Sequence, residues 1–191
     1  MNRSFLFLAD GFEEIEALTV VDVMRRAGMD VKTVSINETA TVTGAHGVSV
    51  NADILFSDAD FKNAEWLIAP GGMPGSSNLA SFRPLTELLT RHYADGGKIA
   101  AICAAPALVL YPLGILDNRE ATCYPGMEQG LDNAIMRDAP VISLPNLITG
   151  NGPSSALRFA LAIVAESMGE QIAQEVGSGM LYYPKRMNLY L

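Results

Sequence analysis

The chain has 191 residues, 49 % of them apolar, and 13 basic against 21 acidic side chains leave a net charge of −8. Against a usual size of about 150 residues per domain, this length and apolar fraction exclude bulk disorder and predict one domain over residues 1–191. The acidic balance, with no run of Lys and Arg, excludes nonspecific attraction to nucleic acid or to an anionic membrane.

Taken in chain order, strands alternate with helices. Ser4–Ala9 reads as a buried strand, too short to be a signal peptide. Glu13–Ala27 reads as a helix, because Ala17, Val20, Val21, Met24 and Ala27 fall on one face and Gly28 ends it. Val31–Ile36 is rich in β-branched residues and predicts a second strand. Thr39–Asn51 predicts a small hairpin or a pair of edge strands turning at Gly44 and Gly47. Trp66–Ala69 is a third core strand that runs into Pro70-Gly71-Gly72. Pro84–Ala94 predicts a helix, Lys98–Ile102 a strand and Ala104–Tyr111 a further helix.

The uncharged stretch from Ile99 to Leu116 contains Pro106, Pro112 and Gly114, which break it into strand, turn and helix and exclude a membrane span. Ala121–Cys123, Val141–Ser143 and Leu147–Thr149 predict short strands. Pro153–Met168, apolar around most of its girth, predicts a helix packed on the sheet, and Ile172–Val176 a last short one. The alternation predicts a three-layer α/β/α sandwich with a mostly parallel sheet. Chemistry in such sheets sits beyond the carboxyl ends of the strands. Asp10–Glu16, Pro70–Gly75 and Cys103–Pro106 lie at such ends.

Cys103 carries the strongest local signal. A short apolar strand meets one cysteine, then Ala104-Ala105-Pro106 open the next element. Small neighbours permit a tight strand-to-helix turn, and Pro106 suits a helix first turn. This is the layout of a nucleophile elbow with cysteine in the nucleophile position. A thiol at a helix N-terminus is expected to favour its thiolate. The plainer reading is a small buried core cysteine.

After the first strand, Glu13, Glu14 and Glu16 complement the helix dipole, or one of them faces the crevice and handles protons. Spacing does not choose among the three. The paired glycines Gly71 and Gly72 can free backbone amides for an oxyanion, or simply make a turn. Cys103 and Cys123 cannot make a disulfide framework and suit reduced thiols in a cytoplasm. His46 and His92 have no metal-ligand spacing with the cysteines and read as surface residues. There is no phosphate-binding loop: Gly96-Gly97-Lys98 is followed by Ile99.

Taken together, Glu13-Glu-Ile-Glu16, Val21 to Gly28, Ala69-Pro-Gly-Gly72, Ala100-Ala-Ile-Cys-Ala-Ala-Pro106, Gly152-Pro153 and Phe159 to Val164 resemble the ThiJ/PfpI superfamily. The resemblance is to the branch of the Parkinson disease-associated deglycase, and it runs through most of the chain. It implies a flavodoxin-like domain of the class I glutamine amidotransferase-like type, usually a homodimer, with no cofactor and no metal. The family's reactive cysteine falls on Cys103, its protonated glutamate on Glu16, and its oxyanion amides on Gly71, Gly72 and Ala104.

The implied activity is cofactor-independent and cysteine-dependent, on a small reactive aldehyde or a glycated adduct. The thiol adds to the carbonyl and the glutamate moves protons. A second reading from the same residues is a redox-sensing stress or chaperone-like protein whose cysteine is oxidised. A protease or amidase ranks below both, because Ala104 stands where the protease-like members carry a histidine.

Two departures from the branch are visible. Tyr124, in Thr122-Cys123-Tyr124-Pro125, occupies the place of a histidine, and tyrosine is a poor base with a pKa of about 10. Asn151 stands where an arginine is often found near the cysteine. Cys123 is a neighbouring second thiol, auxiliary or spectator.

Overall fold

In the computed structural model, which describes residues 2–182, the apolar runs become adjacent strands of one twisted sheet. The strands of the chain are β1 (Ser4–Leu8), β2 (Val31–Ser35), β3 (Thr41–Thr43), β4 (Ser49–Asn51), β5 (Ile54–Leu55), β6 (Trp66–Ala69), β7 (Lys98–Ile102), β8 (Glu120–Ala121), β9 (Ile135–Met136), β10 (Val141–Leu144) and β11 (Leu147–Gly150). The helices are α1 (Glu14–Arg26), α2 (Gly75–Ser81), α3 (Arg83–Ala94), α4 (Ala156–Met168) and α5 (Glu170–Gly179). The main sheet runs β10-β11-β7-β6-β1-β2-β5 and is parallel except for the β10–β11 hairpin. This is the flavodoxin-like α/β fold.

Side chains of a strand alternate between faces, and β1 shows how that builds two cores. Leu6 and Leu8 pack with Val20 and Met24 of α1 and with Phe159 and Ile163 of α4. Phe5 and Phe7 point the other way, to Leu79 of α2 and Leu85 and Leu89 of α3. Trp66 is fully buried on the α4 side and donates its indole N–H to Ser167 Oγ at 2.7 Å. No helix among the described residues is long and apolar enough to cross a membrane.

The chain leaves β1 for β2 on one side and returns to β6 on the other, so the order of strands switches between β1 and β6. The ends of β7, β6 and β1 therefore lie side by side at the switch point, where open α/β sheets hold their chemistry.

Several elements differ from the sequence expectation. The helix expected over Ala104–Tyr111 is a π-helical turn, Pro106–Leu110, followed by a 3₁₀ turn, Tyr111–Leu113. Pro112 has no N–H to continue an α-helix, and Gly114 stops the run at φ 71°. The strand expected over Ala121–Cys123 covers Glu120–Ala121 only. Thr122 leaves the ladder because its N–H donates to Thr149 Oγ1 at 2.9 Å. The helix expected to start at Pro153 opens with a 3₁₀ turn, Pro153–Ser155, before α4. The last short helix extends to Glu170–Gly179, and α2 has no counterpart in the expectation.

Candidate active site

Cys103 follows β7 directly and holds φ at +64°, a left-handed conformation that a non-glycine residue adopts only where its surroundings enforce it. Two backbone bonds enforce it. Cys103 N–H donates to Gly150 C=O at 2.9 Å, and Cys103 C=O accepts from Tyr124 N–H at 2.8 Å. The side chain is thereby thrown across the ends of β6 and β1. Cys103 is 8 % exposed.

Glu16 comes from the first turn of α1 and is fully buried. Its Oε2 accepts the N–H of Gly71 at 2.7 Å, and its Oε1 has no hydrogen-bond partner among the described residues. The carboxyl faces the thiol of Cys103, and each group shifts the other. Burial pushes Glu16 up from 4.5 to about 7, against the opposing hydrogen bonds from Gly71 and Cys103. Burial also pushes the Cys103 thiol up to about 12, and the charge and hydrogen bond of Glu16 add to the rise. The amides of Gly72 and Ala104 point at the sulfur and oppose it.

The thiol is therefore not a freely ionised thiolate, contrary to the sequence expectation. The segment after it is a five-residue π-helical turn, which offers less aligned dipole than an α-helix, and the nearest charge is a carboxylate. Below about pH 7 both groups keep their protons, and above it the pair keeps one proton and carries one negative charge, in ionisations that belong to the pair.

The glycine loop allows this contact. A Cβ on Gly71 would stand 2.5 Å from Cys103 Cβ and 2.6 Å from Glu16 Oε2, so any larger residue would separate the two groups. Gly72 takes φ +91°, with the backbone of Gly11 to Glu13 packed against it. One assigned role changes. The Gly71 amide is not free for an oxyanion, because a buried carboxyl oxygen takes it. Gly72 and Ala104 supply the amides that face the sulfur.

The auxiliary residues divide. Tyr124 joins the site through its backbone, while its side chain is 48 % exposed and lies along Gly152. Asn151 and Cys123 instead line a cavity of about 350 Å³ with Thr122, Arg137 and Asp138, and Cys103 is not in its walls. Asn151 Oδ1 is held by the hydroxyl of Ser155 at 2.7 Å. His92, read from sequence as a surface residue, is half-buried, its ring packed where Gly97 leaves room and 3.1 Å from Lys98 C=O. Burial lowers its pKa. His46 is a surface residue, and it meets Glu13 and Glu14.

A left-handed cysteine at a strand end, a buried glutamate from the first helix and a glycine loop between them have relatives. Residues 2–166 match the DJ-1/PfpI family. The chain belongs to it. A DJ-1beta protein of Drosophila melanogaster is 36 % identical over 184 residues, 95 % of this chain and 98 % of its own length. A glutathione-independent glyoxalase of Caenorhabditis elegans is 35 % identical over 161 residues, with 83 % of this chain and 84 % of that protein covered. Two DJ-1 homologues of Arabidopsis thaliana are longer, and the chain spans 41 % and 46 % of their lengths. Among solved structures, a mutant DJ-1 superfamily protein of Salmonella typhimurium superposes with a TM-score of 0.90 at 32 % identity, covering 96 % of this chain and 100 % of that one. The DJ-1/PfpI branch implied by the sequence motifs is the one these relatives share.

Proposed function

We propose that this DJ-1/PfpI chain is a cofactor-independent, cysteine-dependent enzyme that converts small α-oxoaldehydes to hydroxy acids. One observation carries the reading: a buried glutamic acid faces a left-handed cysteine beneath a glycine loop. The similarity to a protein named a glutathione-independent glyoxalase supports it.

The chemistry follows from the shared proton. In the tautomer with the proton on Glu16, Cys103 Sγ is a thiolate and attacks the aldehyde carbon. A C–S bond forms, the carbonyl π electrons move to oxygen, and Glu16 delivers its proton there to give a hemithioacetal. Glu16, now a carboxylate, removes the hydrogen on that carbon as a proton, giving an enediol with the neighbouring carbonyl. Reprotonation at the neighbouring carbon leaves a thioester and an alcohol. Water then cleaves the thioester, releasing the hydroxy acid and restoring the thiol. No external oxidant enters: one carbon is oxidised and its neighbour reduced. The unpartnered Oε1 of Glu16 gives the proton a place to leave from and return to.

Glycated adducts of the same aldehydes are a finer form of this reading, since their hemiaminal breaks to the same aldehyde. We also take the chain to work as a homodimer in a cytoplasm. Ile15, Leu18, Val48 and Met73 are exposed apolar residues on α1, the β3–β4 turn and the glycine loop, and they would be covered by a second copy.

Methylglyoxal turnover tests the activity. Lactate is expected from the wild type without glutathione, with a loss of at least about a thousandfold in Cys103→Ser. Full turnover by Cys103→Ser removes the reading. Tyr124, in place of a histidine, favours the redox-sensing alternative if no lactate forms. Mass spectrometry after mild peroxide would then find Cys103 selectively oxidised.

A further inference from the structure

The two backbone bonds that hold Cys103 in its left-handed turn differ in what stands behind them. Cys103 N–H to Gly150 C=O, at 2.9 Å, prolongs the parallel pairing of β7 with β11, in which Gly150 stands beside Ile102. That bond is as firm as the sheet. Tyr124 N–H to Cys103 C=O, at 2.8 Å, comes from a segment outside the main sheet. The strand before it, β8, has two residues and pairs with β9. So short a ladder leaves the place of the Tyr124 amide to be set by side chains.

Thr122 is the fixed point. It is 2 % exposed, its N–H donates to Thr149 Oγ1 at 2.9 Å, and its own hydroxyl donates to Ala139 C=O at 2.9 Å. Thr149 is fully buried in β11, directly before Gly150. A closed ring results. It runs from Cys103 C=O to the Tyr124 amide, back along the chain through Cys123 to Thr122, and across to the Thr149 hydroxyl. From there it passes to Gly150, whose carbonyl accepts Cys103 N–H. The ring holds both ends of the cysteine, and its side-chain link is Thr149 Oγ1.

Packing alone does not ask for that oxygen. A strand interior favours any β-branched residue, and valine has nearly the shape of threonine. Valine would leave the buried N–H of Thr122 without an acceptor, at the cost of desolvating it. The segment from Thr122 to Tyr124 would then shift, and Cys103 would lose the bond that opposes its return to negative φ. Its sulfur would swing away from Glu16 and from the amides of Gly72 and Ala104. A misplacement of about 1 Å at reacting groups costs up to about a hundredfold in rate.

We propose that Thr149 is a positioning residue for the Cys103–Glu16 pair: its hydroxyl closes the ring of hydrogen bonds that keeps the cysteine in its left-handed turn and its sulfur on the carboxyl. The effect on turnover rests on the enzymatic reading above; the effect on the thiol does not.

Variants of the full chain separate the hydroxyl from the volume. Thr149→Val keeps the volume and removes the acceptor, whereas Thr149→Ser keeps the acceptor and loses a methyl group. In Thr149→Val, kcat for methylglyoxal is expected to fall by about tenfold or more with KM little changed. Iodoacetamide labelling of Cys103, followed by mass across pH, is expected to titrate about one pH unit lower or more, as the thiol leaves the carboxyl and its burial. Thr149→Ser is expected to melt at a lower temperature but to keep kcat within about threefold and the wild-type labelling profile. Where Thr149→Val does not fold, Thr149→Ala against Thr149→Ser makes the same test, because the two differ by the hydroxyl alone. Labelling that follows the volume of the side chain, or is the same in every variant, overturns the proposal whether or not lactate forms. So does an undiminished kcat in Thr149→Val. Labelling that follows the hydroxyl in a chain whose wild type forms no lactate supports the ring and removes the enzymatic reading.

Discussion

Cys103 and Cys123 stand on neighbouring segments joined by the hydrogen bond from Tyr124 N–H to Cys103 C=O. Both are free and buried, at 8 % and 5 % exposure, and burial drives both thiols up, to about 12 and about 11. What faces each sulfur is different. Cys103 has a carboxyl that can take its proton and the amides of Gly72 and Ala104 to hold the resulting charge. Cys123 donates to Tyr124 C=O at 3.6 Å, and its charged neighbour is Glu128, which raises its pKa further. Ease of ionisation therefore does not single out one thiol in this chain. In the proposed function a partner that exchanges a proton with Cys103 does.

The comparison breaks most completely at Gly71, which keeps the partner close. Gly71→Ala puts a Cβ against both Cys103 and Glu16 and displaces one from the other. We expect methylglyoxal turnover to fall by about a hundredfold or more, and stability by about 1–3 kcal/mol. Cys123→Ala is expected to stay within about threefold of the wild type. Steady-state rates with a urea midpoint for each variant decide it, and a fully active Gly71→Ala means the contact is not needed.

Glu16→Gln sharpens the comparison from the other side. The charge and hydrogen bond that hold the proton on Cys103 disappear. Alkylation of Cys103 is therefore expected to titrate about one pH unit lower or more, while Cys123 is unmoved. Turnover nevertheless falls, by about a hundredfold, because the proton carrier is gone. A more nucleophilic but less active enzyme is the expected signature, read by mass-resolved iodoacetamide labelling across pH. Parallel falls in labelling and turnover would make Glu16 merely structural.

The same substitution has a stability consequence with a definite sign. The folded pKa of Glu16, about 7, lies above its ordinary value of 4.5, so the folded state holds the proton more tightly than the unfolded chain. The stabilisation is complete below 4.5 and lost as pH rises through about 7. Gln has no proton to lose, so Glu16→Gln should gain on the wild type across that window, by up to about 3 kcal/mol for the shift from 4.5 to about 7. Urea midpoints at the two ends of the window measure it, and a difference that does not change with pH contradicts the assignment.

How much of this the residues alone reveal depends on whether local pattern or distant contact decides. β1, β6 and β7 are legible because parallel strands buried on both faces are unbroken apolar runs. The elbow is legible because small residues and a proline must follow a cysteine held in that turn. α2 is not, since GSSNLAS carries weak helix formers. It is held by tertiary contacts, Leu79 in the core and Asn78 Nδ2 donating to Asp10 C=O at 2.9 Å. The choice of Glu16 over Glu13 and Glu14 is set by the rotation of α1 over the sheet, which spacing within one helical turn cannot show. The use of the Gly71 amide on Glu16, and so the proton on Cys103, appears only when β1 and β6 are brought side by side.

Tyr124 gives the smallest effect and tests whether the backbone alone links the two cysteines. Its amide holds the Cys103 carbonyl, and its side chain is half in solvent, 48 % exposed. Phenylalanine keeps the amide and the ring and removes only the hydroxyl. Tyr124→Phe is therefore expected to change kcat by less than about twofold. Tyr124→His keeps the same amide and places near the pair a base that titrates in the working range, and kcat at pH 7 is expected to rise by about tenfold or less. If Tyr124→Phe instead loses tenfold or more in kcat while Cys103 labels at the wild-type rate, the phenol takes part in proton transfer. The partner that distinguishes Cys103 from Cys123 would then be a pair, Glu16 and Tyr124, rather than the glutamate alone.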